Sequence, residues 1–328
     1  MEVEVLRDAI FADGAAGFES LAMEVFLFQY QQNRIYRNYA DAIGCKVSEV
    51  AGLSDIPFLP IRFFKTHTVA ATSFEPDVFF ESSGTTGAVN SRHLVKDAGL
   101  YVRSFTKAFE LFYGSAQDYC ILGLLPSYLE RGHSSLVFMV DQLIRDSRHP
   151  RSGFYLHDFN ALAQTLKALE KSGQKTLLIG VTYALIDFSE QFPMPLQHTT
   201  IMETGGMKGR RRELIRDEVH DLLKQRFEVP VIHSEYGMTE LLSQAYSKGA
   251  GRFFTPPWMR VVLREEDDPL SVITGPERGV LNIADLANLY SCSFIATDDL
   301  GAVYPDGSFE VLGRRDNSDI RGCSLLAL

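Results

Sequence analysis

The chain lacks a basic surplus, a long apolar run and any cysteine cluster, and each absence removes a class of function. With 32 lysines and arginines against 42 aspartates and glutamates, its formal net charge is −10. General nucleic-acid binding needs a basic footprint, so no nucleic-acid partner is expected. No segment approaches the ~18 uninterrupted apolar residues of a membrane span. The N-terminus, MEVEVLRDAI, is acidic and has neither the basic start nor the apolar run of a signal peptide. Cys45, Cys120, Cys292 and Cys323 are widely spread, with no C-x-x-C pair and no zinc spacing. A reduced, cytoplasmic protein without a structural metal is the expectation.

Several familiar motifs are missing as well. No glycine-rich run ends in the Gly-Lys-Ser/Thr of a P-loop, and Gly205-Gly206-Met207-Lys208-Gly209 is not the dinucleotide fingerprint. Gly132-His133-Ser134-Ser135-Leu136 begins like a nucleophile elbow but lacks its final glycine. Hydride transfer and serine hydrolysis are therefore poorly supported.

What is present is an ordinary globular composition, 45% apolar and 23% charged over 328 residues, enough for one large domain or two smaller ones. Phe18, Leu21, Ala22, Val25 and Phe26 recur at helical spacing. The proline-punctuated Ile56–Ile61 resists regular structure. Beyond it, strands and helices alternate. Asp97 is placed to cap a helix with Tyr101, Phe105, Ala108 and Phe112 inward, and Asp158 one with Leu162, Leu166 and Leu169 inward, closed by Gly173. Strands are expected over Tyr119–Leu125, Thr176–Val181, His198–Glu203 and Val229–His233, with helices over Ser135–Ile144, Ala184–Gln191 and Arg210–Phe227. This predicts an α/β fold with a doubly wound, mostly parallel sheet. From about residue 252, short strands at Arg260–Arg264, Gly279–Ala284, Phe294–Thr297 and Ser308–Leu312 predict a smaller antiparallel β region. The expected division is 1–251, an α/β part, then 252–312, a β-rich subdomain, then 313–328, a short tail carrying Cys323.

Glu81-Ser82-Ser83-Gly84-Thr85-Thr86-Gly87 stands out among the loops. Small hydroxylated residues mixed with glycine make a poor helix and a poor strand, but they bring backbone N–H groups and hydroxyls close to an anion. An ordinary Ser/Thr/Gly turn is the other reading. Glu203-Thr204-Gly205-Gly206 would let a flat ring approach the backbone, or would simply turn from strand to helix. Tyr236-Gly237-Met238-Thr239-Glu240 sets a hydroxyl beside a carboxylate, suited to a phosphate oxygen and to Mg²⁺, or forms a capped turn. Thr297-Asp298-Asp299-Leu300-Gly301 places two carboxylates at an expected strand end, where one can accept ribose hydroxyls. A β-turn serves equally there. Gly313-Arg314-Arg315-Asp316 offers a phosphate-facing arginine or a solvated turn. Cys323 beside Arg321 is a lowered-pKa nucleophile or an inert tail thiol.

In this order, SSGTTG, GG, YGMTE, TDDLG and GRRD resemble the motifs of the adenylate-forming superfamily of acyl- and aminoacyl-activating enzymes. A closer resemblance, carried by IPFLPIRFFK, ESSGTTG, YGMTELLSQ, GVLNIADLANLYSCSFIATDDLG and GRRDNSDIRGCSLL, is to the acyl-protein synthetase family of the bacterial luciferase fatty-acid reductase complex. The resemblance implies an ATP- and Mg²⁺-dependent ligase that converts a fatty acid to acyl-AMP. The acyl group would then move to a cysteine near the C-terminus, matched here by Cys323, and on to a partner acyl reductase or acyl-carrier protein.

The resemblance also implies roles for individual residues. Ser83, Gly84, Thr85, Thr86 and Gly87 would hold the pyrophosphate end, and Gly205 and Gly206 would flank adenine. Tyr236, Gly237 and Met238 would line the nucleotide, Thr239 would contact the α-phosphate, and Glu240 would hold the metal. Asp299 would take the ribose hydroxyls and Arg314 would reach the nucleotide from the hinge. Two departures accompany it. Ala88-Val89-Asn90-Ser91-Arg92 replaces the Pro-Lys continuation of the loop, with Arg92 as a partial substitute, and the mobile C-terminal lid that carries the adenylation lysine is expected to be absent. A ligase acting on coenzyme A or a carrier protein, and a non-catalytic subunit with a degenerate adenylating fold, are the alternatives.

Overall fold

The computed structural model describes residues 3–12, 17–82, 89–125, 132–156, 158–205, 214–273, 275 and 277–315. Among them a thirteen-stranded mixed sheet dominates, with a separate two-stranded sheet beside it. Its parallel part runs in the order Gly153–Phe154, Cys120–Leu124, Thr176–Gly180, Thr199–Glu203, His233–Tyr236. Every residue of Cys120–Leu124 and Thr176–Gly180 is buried, as expected of parallel strands covered on both faces.

The chain leaves Cys120–Leu124 toward one edge, returns to Thr176–Gly180 on its other side, and then advances steadily away. Right-handed crossovers then put helix Ser135–Ser147 on one face and helices Phe159–Ser172, Thr182–Gln191 and Arg216–Phe227 on the other. Ring contacts follow this division. Tyr101 of helix Ala98–Tyr113 stacks on Phe138, while Phe188 contacts both Phe159 and Phe227 across the opposite layer. Open sheets wound this way bind ligands at the carboxyl ends of their strands, near the reversal.

Local signals that the sequence places well are realised in side-chain geometry. Asp97 Oδ1 accepts the Leu100 N–H at 3.1 Å, and Asp158 Oδ1 accepts that of Ala161 at 2.9 Å. Each such cap stabilises its helix by about 1 kcal/mol. Gly173 closes the second of these helices at φ 69°.

The sheet then continues without a break into antiparallel strands. Ala245–Ser247 pairs with His233–Tyr236, and beyond it lie Phe253–Phe254, Phe309–Arg314, Phe294–Val303, Arg278–Asp285, Met259–Arg264 and Val272–Ile273. Leu59–Pro60, within the stretch expected to resist regular structure, adds a short parallel strand to Phe294–Val303. In the two-stranded sheet, Val78–Glu81 pairs antiparallel with Arg92–Val95.

Three expectations shift. The strand expected at Val229–His233 runs His233–Tyr236. Its buried members include Ser234 and Glu235, which no apolar pattern marks, whereas Val229 and Ile232 are buried in the lead-in. Phe294–Val303 is a ten-residue strand, so the TDDLG motif sits inside it, beside a register shift at Leu300/Gly301. The helix expected from Arg210 is described from Arg216.

The N-terminal helices brace the loop after Arg278–Asp285. Phe18, Ala22, Val25 and Phe26 are buried as their spacing predicts. From the same helix, Gln29 Nε2 donates to the Leu289 carbonyl at 2.8 Å and its Oε1 accepts the Ser293 N–H at 3.1 Å. Asn33 caps helix Arg34–Ala42 and donates to the Ser291 carbonyl at 2.8 Å.

Candidate active site

Residues from the carboxyl ends of the parallel strands converge with the antiparallel strands on one site. Tyr236 closes its strand and donates a 2.7 Å hydrogen bond to Asp299 Oδ2. Arg314 Nε lies 3.3 Å from Asp299 Oδ1, and the two residues are register partners across neighbouring strands. Both Tyr236 and Asp299 are buried, and burial followed by the Asp299 charge pushes the phenol well above its ordinary pKa. The hydroxyl therefore keeps its proton and acts as a donor. Asp299 N–H is tied in turn to Thr297 Oγ1 at 3.0 Å.

Gly237 follows Tyr236, and a side chain there would collide with Glu235, whose Oε1 lies 2.5 Å from where a Cβ would stand. Met238 Sδ is 3.9 Å from the Tyr236 hydroxyl. Thr239 is half-buried and Glu240 buried, and both sit on the turn after this strand. Burial raises the Glu240 pKa. The Ser91 hydroxyl and the residue's own backbone N–H, both hydrogen-bonded to the carboxylate, oppose that rise, as do the charges of Arg314 and Lys65.

Lys65 had no role in the sequence pattern, because its partner lies 175 positions away in the chain. It closes IPFLPIRFFK on the short helix Phe63–Thr66, and its positive charge acts on Glu240. Arg92, the expected substitute, lies over the Phe79 ring at 4.2 Å and 4.0 Å from Glu81.

The Gly205 turn follows the neighbouring strand. Gly205 adopts φ 73°, a left-handed conformation that favours glycine, and its N–H donates to Glu203 Oε2 at 2.7 Å. Burial works to raise the Glu203 pKa, but His220, Ser234, Arg216 and the Gly205 N–H outweigh it and lower the carboxyl to about 2. A fixed anion thus anchors this turn. Glu203 and Ser234 are register partners, so Gly205 and Tyr236 leave the sheet side by side.

Tyr236, Met238, Glu240, Asp299 and Arg314 are thus brought together, with Gly237 and Thr239 on the same turn and Gly205 on the adjacent one. Ser83, Gly84, Thr85, Thr86, Gly87, Gly206 and Cys323 lie outside the described residues. Among the described residues no group of three or more His, Cys, Asp or Glu side chains is arranged to hold a metal. A single buried carboxylate does suit Mg²⁺, which commonly takes one or two protein carboxylates, with substrate phosphates and waters completing its shell.

The fold is that of the adenylate-forming ligases, an α/β enzyme class with a large mixed sheet. The 2-hydroxyisobutyryl-CoA ligase structure in complex with 2-HIB-AMP and CoA aligns at a TM-score of 0.64 with 13% identity, covering 90% of this chain and 67% of that one. ATP-bound MatB from Rhodopseudomonas palustris aligns at 0.54 with 16% identity over 74% of this chain, which spans half of MatB's length. In sequence the chain is similar to the long-chain-fatty-acid–luciferin-component ligase of Aliivibrio fischeri, 24% identical over 337 residues, 94% of this chain and 86% of that protein. No family model matches. Among the described residues no helix is long and apolar enough to cross a membrane.

Proposed function

We propose that this chain is an AMP-forming acid ligase that activates a fatty acid with ATP and loads the acyl group onto a protein thiol. The observation that carries this reading is the Tyr236–Asp299–Arg314 contact beside buried Glu240, at the carboxyl ends of the parallel strands. Similarity along almost the whole chain to a fatty-acid ligase supports the substrate class.

Adenylation joins a carboxylate to a phosphate that is already negative, so the protein must offset repulsion and stabilise charge that grows in the transition state. In this reading a carboxylate oxygen of the acid attacks the α-phosphorus of ATP, and the bond to pyrophosphate breaks. Ser83, Gly84, Thr85, Thr86 and Gly87 hold the departing pyrophosphate, and Thr239 contacts the α-phosphate. Gly205 and Gly206 flank adenine, and Tyr236, Gly237 and Met238 line the nucleotide. Asp299, fixed by Tyr236, accepts the ribose hydroxyls, while Arg314 and Lys65 supply positive charge. Glu240 is the residue that would hold Mg²⁺, which when bound neutralises phosphate charge.

The second half-reaction moves the acyl group to sulfur. The Cys323 thiolate attacks the acyl-AMP carbonyl, the carbon–oxygen bond to phosphate breaks, and AMP leaves. The resulting thioester preserves the activation for a partner reductase.

ATP–pyrophosphate exchange with carboxylic acids of graded length tests the first half-reaction. Glu240→Ala should keep the fold and lose about 100- to 1,000-fold in exchange rate, the effect of removing one charge-stabilising group. Near-normal exchange in that variant would overturn the assignment.

A further inference from the structure

Two consecutive carbonyls of the Thr239–Glu240 turn are gripped from behind by side chains from distant parts of the chain. His93 Nδ1 lies 2.8 Å from the Thr239 carbonyl oxygen, and Asn288 Nδ2 donates to the Glu240 carbonyl at 2.6 Å. The two side chains also meet each other, with His93 Nε2 3.0 Å from Asn288 Oδ1. Both residues are fully buried.

Each member is itself held in place. His93 pairs in register with Phe80, and its ring meets Phe64 edge-on. The Asn288 N–H donates to the Asp285 carbonyl at 3.0 Å, and Asp285 Oδ2 accepts the Leu242 N–H at 2.7 Å, just past the turn. Gln29 of the N-terminal helix reaches the Asn288 carbonyl at 3.3 Å.

Counting donors shows that the two side chains act jointly. Asn288 commits its amide nitrogen to Glu240, so its oxygen faces His93. Both ring nitrogens then look at acceptors, and a neutral imidazole has one N–H to give. Burial pushes His93 down to about 4, which keeps that single proton the rule near neutrality. If the proton goes to Thr239, Asn288 is drawn to turn its nitrogen toward the ring and away from Glu240. The contacts on Thr239 and Glu240 therefore depend on one another. The Thr239 carbonyl and the Glu240 N–H share one peptide plane, and that N–H is hydrogen-bonded to the Glu240 carboxylate. Gripping the carbonyl thus also aims the N–H that steadies the carboxylate.

We propose that His93 and Asn288 are a coupled pair of positioning residues that set the Thr239–Glu240 turn for its work on the nucleotide. This rests on the reading of Thr239 and Glu240 as phosphate- and metal-facing groups. A well-satisfied core histidine would matter for stability alone; a positioning pair must also govern how the turn meets MgATP.

The test uses the full chain with His93→Gln, Asn288→Asp and the double variant. Each single change should raise the KM for MgATP about tenfold while kcat changes less than about threefold, since small misplacements of binding groups cost this much or more. The double variant should be little worse than either single one, far short of the roughly hundredfold expected of independent sites. Hydrogen exchange at residues 237–244 should quicken about tenfold in all three, with strands 120–124 and 176–180 unchanged, marking a local loss of order. Wild-type KM together with wild-type exchange at 237–244 would overturn the proposal. So would independent, multiplying effects, or a lowered Tm with an unchanged KM. If the wild-type chain activates no acid, the adenylation reading fails on that result, and hydrogen exchange at 237–244 still decides whether the pair holds the turn.

Discussion

The Tyr236 hydroxyl and the Asp299 carboxylate, 63 residues apart in sequence, meet at 2.7 Å in a buried contact. It joins the last strand of the parallel half to the longest strand of the antiparallel half. Tyr236→Phe removes a hydrogen bond to a charged group, worth about 1.5–3 kcal/mol. ATP affinity, measured by calorimetry, should fall about tenfold or more while far-UV circular dichroism stays native. Unchanged affinity would remove Asp299 from the ribose role.

Lys65 is solvent-exposed on a short helix, yet its charge reaches Glu240. Lys65→Met should therefore leave stability within about 0.5 kcal/mol, as exposed substitutions do. The pyrophosphate exchange rate should nevertheless drop about tenfold or more, because a charge aimed at the reacting phosphates is lost. A full exchange rate would return the missing positive charge to Arg314 and Arg92.

Glu235 has no role in the proposed chemistry and dominates an expected pH effect. Burial, and then the nearby Glu203 charge, raises its pKa to about 8. The folded protein therefore holds this proton where the unfolded chain, with an ordinary carboxyl, releases it. The stability it contributes is full below the ordinary carboxylate range and declines as pH rises toward 8. The expected slope is about 1.4 kcal/mol per pH unit. Urea denaturation of Glu235→Gln at pH 6 and pH 8 should show that part of the slope abolished; an unaltered slope would assign the loss to other groups.

Cys323 divides the proposed function from its closest alternative. With Cys323→Ser, acyl-AMP should still form and pyrophosphate exchange should persist, while labelled acyl-protein disappears. Retention of the label on the chain would exclude this cysteine as acceptor, and release of free acyl-coenzyme A by the wild type would favour a coenzyme A ligase.

Much of the fold was legible because its signals are local. Asp97 and Asp158 cap the helices that follow them, and the apolar run at 176–180 forms the buried strand its composition suggests. Strand His233–Tyr236 was misplaced because its buried Ser234 and Glu235 look like surface residues in sequence. In the candidate site, Tyr236, Asp299 and Arg314, drawn from three separate motifs, contact one another, and the Arg314 charge reaches Glu240. Lys65, His93 and Asn288 carried no legible role, since each acts through a partner remote in sequence, at 146 positions for His93–Thr239 and 48 for Asn288–Glu240. No spacing rule reaches across such a distance.

The brace from Gln29 and Asn33 to Leu289, Ser291 and Ser293 gives the first helices a consequence beyond shielding the core. They lie upstream of every motif that bears on nucleotide chemistry, yet they fasten the loop whose Asn288 steadies the Glu240 turn. A fragment beginning at the first motif would retain all of the recognisable chemistry and lose the fixture against which it is aligned. On the proposed reading, alignment of the site depends on the chain's first helices as much as on its motifs.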